Sequence, residues 1–251
     1  MKLLAGKVAI VTGASRNIGR GIAEVLGENG ASVVVNYYKS EDAAREVAEH
    51  IDKSGGQALL ARADVRDRIQ VDALVEHAVK RFGKIDVLVN NAWGGAYIKP
   101  FMEYQWSDFE FQYQYILRQE VNTIQAVVPV MEKNGGGSIV NILSTIVHDY
   151  DYSLNDYRAS KMAALGLTMS LAWEFGPKKI RVNAVSPGLV MTELVREAPK
   201  AHVDAMIAQT PLGRLAEPRD IGNAVVFFAS DLSLIVTGAN MPVCGGHTVF
   251  P

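Results

Sequence analysis

Residues 7–21, KVAIVTGASRNIGRG, decide the fold. The run 7–12 is apolar and rich in Val and Ile, the signature of a buried strand, and a helical pattern begins at Ile18. Between them the turn carries Gly13, with Gly19 and Gly21 in the helix start. Glycines there permit a tight turn and let the backbone approach a pyrophosphate, which then sits at the positive end of the helix. A glycine-rich turn also serves merely to pack a helix on a strand. Its reading as a phosphate loop rests on the strand before and the helix after, and both are present.

Outward from this loop the same alternation continues. Strands are expected at 32–37, 58–61, 85–89, 138–143 and 180–184, separated by helices at 18–28, 41–54, 67–82, about 106–132 and about 157–175. Near-continuous Val/Ile/Ala strands alternating with helices predict a parallel sheet covered on both faces, joined by right-handed crossovers. After Pro187-Gly188 the pattern loosens into helical segments at 192–209 and 218–230 and a last strand at 239–243. The expected fold is α/β: one domain over 1–251, a Rossmann fold with a doubly wound parallel sheet of about seven strands.

Composition bounds the function. Of 251 residues, 49% are hydrophobic and 21% charged, the balance of an ordinary globular protein, and the formal net charge is −2. Nothing global draws such a chain to nucleic acid or to an anionic membrane, and no apolar run reaches the ~20 residues that span a bilayer. A single cysteine, Cys244, fits a reducing compartment, and the start of the chain is too short for a signal peptide before the first strand. The expectation is a cytoplasmic, enzyme-sized protein, and no metal site is read in the sequence.

Further motifs follow the loop in order. Asp64-Val65 follows the third strand and Asn90-Asn91-Ala92 the fourth; Ser144 lies thirteen residues before Tyr157, and Lys161 four after it. Pro187-Gly188 is followed by Val190 and Thr192. Together with the Gly-x3-Gly-x-Gly loop, these resemble the short-chain dehydrogenase/reductase family over almost the whole chain, and among its members the 3-oxoacyl-(acyl-carrier-protein) reductases. The resemblance implies cofactor contacts from Gly13, Ser15, Arg16, Asn17, Ile18 and Gly19 in the loop. It implies others from Asp64 and Val65 at the adenine, from Asn91 and Ala92, and from Pro187, Gly188, Val190 and Thr192 at the nicotinamide carboxamide. Tyr157 and Lys161 are expected to touch the cofactor as well.

The end of the second strand selects the dinucleotide. Members that use NAD place an Asp there, which accepts from the ribose 2′-hydroxyl and repels a 2′-phosphate. This chain has Tyr37, flanked by the uncharged Asn36 and Tyr38, with Arg16 and Lys39 nearby. NADP(H) is therefore the expected cofactor, ahead of NAD(H), although Arg16 and Lys39 also read as ordinary solvated charges.

Tyr157 and Lys161, four apart, project from one helical face. A phenol with a pKa near ~10 needs its anion stabilised to act at neutral pH, and a neighbouring ammonium does this. The resemblance makes Ser144, Tyr157 and Lys161 the catalytic group, with Tyr157 protonating the carbonyl oxygen that Ser144 holds. Three positions depart from the family pattern. The family's active-site Asn on the long helix falls, without a gap, on Ile116, with Gln112, Gln119 and Asn122 as possible substitutes; Trp93 replaces the Gly after Asn-Asn-Ala; and Cys244 replaces an Asp. If the helix is regular, Asn122 points about 120° away and lies roughly 9 Å further along the axis.

Residues 145–156 form a polar, aromatic segment that lines the substrate pocket in relatives, making His148, Tyr150 and Asn155 candidates for substrate contact, with Trp93 opposite. The expected function is a hydride transfer between NADP(H) and a small-molecule ketone or secondary alcohol, in a homotetramer. Two other readings stay open: a dinucleotide-binding sensor or scaffold with little turnover, and a lyase-type activity on the same scaffold.

Overall fold

The computed structural model describes residues 2–149 and 153–248. Its strands β1 (Val8–Val11), β2 (Ser32–Tyr37), β3 (Gln57–Arg62), β4 (Val87–Asn90), β5 (Gly137–Ile142), β6 (Ile180–Pro187) and β7 (Asn240–Val243) form a seven-stranded sheet in the order β3-β2-β1-β4-β5-β6-β7, with every pairing parallel. The order reverses between β1 and β4. In open α/β sheets, ligands bind beyond the carboxyl ends of the strands at such a point.

Strand alternation divides the core in two. Ala9, Val11, Val33, Val35, Val87 and Val89 face helices α1 (Asn17–Glu28), α2 (Glu41–Lys53) and α9 (Pro218–Ala229). Ile10, Val34, Leu88 and Ile139 face α3 (Arg68–Phe82), α5 (Gln119–Lys133) and α6 (Asn155–Phe175). Successive side chains of a strand point to opposite faces, so strands apolar at every position are what two helical layers require.

The structure departs from the sequence expectation at two helices. The long helix expected at 106–132 is α4 (Trp106–Tyr113), a five-residue π-helical stretch Gln114–Arg118, and α5. A π segment widens the turn and shifts every later side chain around the axis. The segment expected at 192–209 is split into α7 (Glu193–Arg196) and α8 (Lys200–Ala208), because Pro199 cannot continue the first and caps the second. No helix among the described residues is long and apolar enough to cross a membrane.

Candidate active site

The phosphate loop is assembled from both sides of the switch point. Gly13 takes φ +61°, and a Cβ on it would lie 2.8 Å from Ala92 Cα. A Cβ on Gly19 would lie 2.1 Å from Gly13 O and 2.5 Å from Asn91 Nδ2, so the helix can start here only with glycine. Thr12 Oγ1 accepts from the N–H groups of Asn91 and Ala92 at 2.9 and 3.0 Å, and Asn91 Nδ2 donates to the carbonyls of Thr12 and Gly13 at 2.9 and 3.2 Å. Asn36, fully buried, accepts from Gly13 N at 3.1 Å and donates to the carbonyls of Ala61 and Ala63. Asn36 and Thr12 are thus supports that sequence reasoning missed. Their signal was a polar residue inside an otherwise apolar strand end.

Helix α1 opens without a side-chain cap: Arg16 at its N-cap makes no capping hydrogen bond, and its first turn carries no acid. Uncapped amides at the positive end of a twelve-residue helix are a donor set suited to a pyrophosphate. Ser15 and Ile18 lie in the same loop, and Asn17, at φ +49°, accepts from Glu193 N at 2.9 Å, tying the loop to α7.

Around this centre lie the other expected cofactor positions. Tyr37 ends β2, buried beside Glu41, and burial pushes its phenol pKa up. Arg16 and Lys39 are exposed, and among the described residues neither forms an ion pair. Asp64 follows β3, but Arg66 grips its carboxylate at 2.6 Å and holds its pKa below the usual range, while Val65 is buried. Pro187 ends β6; Gly188 donates to Val243 O at 3.1 Å, and a Cβ on it would lie 2.5 Å from Cys244 Cβ. Cys244 is therefore a small packing residue beneath this turn. Val190 bridges to Ala216, and Thr192 caps α7.

The reactive group stands at the ends of β5 and α6. Ser144 follows β5, and its Oγ accepts from Ile146 N at 3.3 Å. Tyr157, on the first turn of α6, packs on a cluster of Ile116, Leu143, Ala164 and Ala184. Burial pushes its phenol up to about 12, and the neighbouring Ser144 hydroxyl opposes this. Lys161 is buried, donates to Ile142 O at 2.6 Å and lies 5.7 Å from the centre of the Tyr157 ring. Over that ring lies Trp93, with centroids 4.9 Å apart and planes inclined at 38°.

Among the described residues, none of the three amides proposed for the missing Asn hydrogen-bonds Lys161. Gln112 accepts from Trp93 Nε1 at 3.3 Å and donates to Gly95 O. Gln119 donates to the carbonyls of Ala92 and Tyr115, and Asn122 to those of Val65 and Arg66. The π segment breaks the register that the sequence count assumed. Just after it Glu120 is 1% exposed; burial pushes Lys161 down to about 8, and the Glu120 carboxylate opposes that shift. No sequence reading singled out Glu120.

At the substrate side, His148 and Asn155 flank residues 150–152, so the expected contact at Tyr150 lies outside the described residues. The segment from 153 is held by Tyr104, whose hydroxyl donates to Ser153 O at 2.9 Å.

The order of strands, the glycine loop and the Ser144/Tyr157/Lys161 cluster on one carboxyl edge define a class, and comparison with known proteins agrees. Residues 13–248 match the family described as enoyl-(acyl carrier protein) reductase. The chain belongs to the short-chain dehydrogenase/reductase family, whose members are oxidoreductases. It is 38% identical over 244 residues to the 7α-hydroxysteroid dehydrogenase of Escherichia coli, covering 97% of this chain and 94% of that one. It is 37% identical over 242 residues to a 3-oxoacyl-(acyl-carrier-protein) reductase of Staphylococcus epidermidis, covering 96% and 98%. Among solved structures, a 7α-hydroxysteroid dehydrogenase complexed with NADH and 7-oxo glycochenodeoxycholic acid superposes with a TM-score of 0.91 at 38% identity, covering 97% of this chain and 94% of that one.

Proposed function

We propose that this protein is an NADP(H)-dependent oxidoreductase that interconverts a ketone and a secondary alcohol, with Tyr157 as the proton-transferring group. The observation that carries this is the buried phenol of Tyr157 with the Ser144 hydroxyl near enough to hold its pKa down and the buried Lys161 beside it on the same helical face. The dinucleotide supplies or accepts the hydride when bound between the α1 N-terminus and the Gly188 turn.

The chain's own residues do the rest. Ser144 holds the carbonyl oxygen, and Tyr157 delivers its proton to that oxygen as the carbon is reduced. Burial disfavours the phenolate left behind, and the Lys161 ammonium, 5.7 Å from the ring centre, is the cation placed to stabilise it. In oxidation the same phenolate takes the alcohol proton. Trp93, where the family has glycine, walls the site above Tyr157 with an apolar indole face, still 48% exposed. That wall and the likeness to hydroxysteroid dehydrogenases favour a substrate with a broad apolar body, contacted also by His148 and Asn155.

NADP(H) is favoured over NAD(H) because β2 ends in Tyr37 rather than an acid and because Arg16 and Lys39 are exposed and, among the described residues, in no ion pair, so that they can meet a 2′-phosphate. A homotetramer is supported by the outward face of α6, where Met162, Met169 and Trp173 are 45%, 58% and 89% exposed, and light scattering tests it. The single buried cysteine supports a reducing, cytoplasmic setting. A panel of alicyclic and open-chain ketones with NADPH, and of the alcohols with NADP, read at the nicotinamide absorbance, tests the activity. Turnover of at least one pair supports it; cofactor binding without turnover of any supports a sensor instead.

A further inference from the structure

Glu120 is a carboxylate where the fold gives no ordinary reason for one. It is 1% exposed, and its Oε2 has no hydrogen-bond partner among the described residues. An unpaired charge at such a site is costly, and natural sequences retain one only where something compensates. The position is set by the long helix. Ile116 in the π segment packs on Ala164 and Tyr157, so the chain just before Glu120 lies against the α6 face that carries Tyr157, Ser160, Lys161 and Ala164. Ser160 Oγ on that face is likewise buried without a partner.

Few other charges are within influence. On the preceding π segment, Arg118 is bound to Gln114, and Tyr115 stacks under Arg66. On α3, Arg68 is bound by Asp72 and Gln125. On α6, Asp156 turns its carboxylate back to the N–H of Tyr157 at 2.8 Å, and Lys161 is the buried cation of that helix. Strands β4 and β5 contribute Asn90 and Asn141, bonded to each other, and the Arg181 guanidinium of β6 is spent on the carbonyl of Phe228 and the hydroxyl of Ser233. Among the described residues, the charge that acts on Glu120 is that of Lys161, and the charge that acts on Lys161 is that of Glu120.

We propose that Glu120 is the counter-ion of Lys161: a positioning residue that keeps the lysine charged in its buried site and so sets the pH range over which Tyr157 works. This rests on the proposed ketone reduction, and it assigns to a carboxylate on the long helix a task for which the family pattern has an amide. The signs are opposed within the pair. Burial pushes Glu120 above the usual carboxylate range and Lys161 below the usual amine range, and each is partly restored by the other. Removing the carboxylate therefore lets Lys161 lose its proton at a lower pH, and with it goes the cation that stabilises the Tyr157 phenolate.

The test is a pair of titrations on wild type and Glu120→Gln. In the pH profile of kcat/KM for ketone reduction, the alkaline limb should move down by about one pH unit or more in Glu120→Gln, the effect of losing a close opposite charge. Glu120→Asp should restore part of the shift. In the cofactor-free protein, carbon-13 NMR of labelled glutamate carboxyls should show one resonance titrating far above the others and missing from Glu120→Gln. If Glu120→Gln does not fold, Lys161→Met is titrated instead, and that resonance should move to still higher pH. An unmoved limb, or a carboxyl that titrates with the surface glutamates, overturns the proposal. Failure to find any reducible ketone refutes the functional reading but leaves the carboxyl titration to decide the pairing.

Discussion

The β1–α1 loop and the long helix from α4 to α5 both border the reactive group, yet they differ in how their side chains are fixed. The loop is fixed by backbone. Gly13 and Gly19 have no room for a Cβ, and Thr12, Asn36 and Asn91 bond to main-chain atoms, so sequence spacing translates directly into position. The long helix is fixed by packing. Its π segment at Gln114–Arg118 resets the rotation of everything after it, and which side chain turns inward depends on what α6 offers opposite. Where the backbone dictates the residue, the residue announces the structure; where packing dictates it, the same residue types serve core and chemistry alike.

The largest expected effect lies where the two regions meet. Lys161→Ala removes the cation next to a phenol that burial has already pushed up to about 12, so turnover should fall by two orders of magnitude or more. Cofactor affinity should fall with it, and NADPH titration by fluorescence together with steady-state rates measures both. Retention of full affinity would mean that Lys161 serves only the phenolate.

Within the loop, Gly19→Ala puts a Cβ 2.1 Å from a carbonyl oxygen with no flexible side chain to yield. The expected cost is about 1–3 kcal/mol of stability, seen by denaturant melts, with loss of NADPH binding. The corresponding change in the long helix, Ile116→Asn, should not rebuild an amide relay. Ile116 is fully buried in the apolar cluster under Tyr157, so an amide there costs stability on the order of 1–3 kcal/mol instead of raising kcat.

The smallest effect concerns cofactor choice. NADPH should bind at least about tenfold more tightly than NADH, a difference near 1.4 kcal/mol, and Tyr37→Asp should narrow or reverse it. Equal affinities in the wild type would remove the argument from Tyr37 and Arg16.

The same division explains what the sequence made legible. The strands and the alternation behind the doubly wound order follow from periodicity, and the shared face of Tyr157 and Lys161 from helical geometry, which are local; Ser144 joins them through the family resemblance. Glu120 was not legible, because a Glu among Gln119, Val121 and Asn122 reads as an ordinary surface helix until the π segment rotates it inward. Nor was the stacking of Trp93 on Tyr157, since the two are far apart in the chain and meet only through the β4 turn.

The most direct test of the assigned chemistry is Tyr157→Phe, assayed for NADPH binding and for reduction of a ketone that the wild type turns over. The substitution deletes one oxygen from a ring that otherwise packs on Ile116, Leu143 and Ala164 and under Trp93, so the fold and the cofactor affinity should stay close to wild type. The account predicts unaltered binding with turnover reduced by a factor of one hundred or more. Retention of more than about a tenth of the wild-type rate, a barrier change below ~1.4 kcal/mol, would contradict it, because the proton would then be coming from another group.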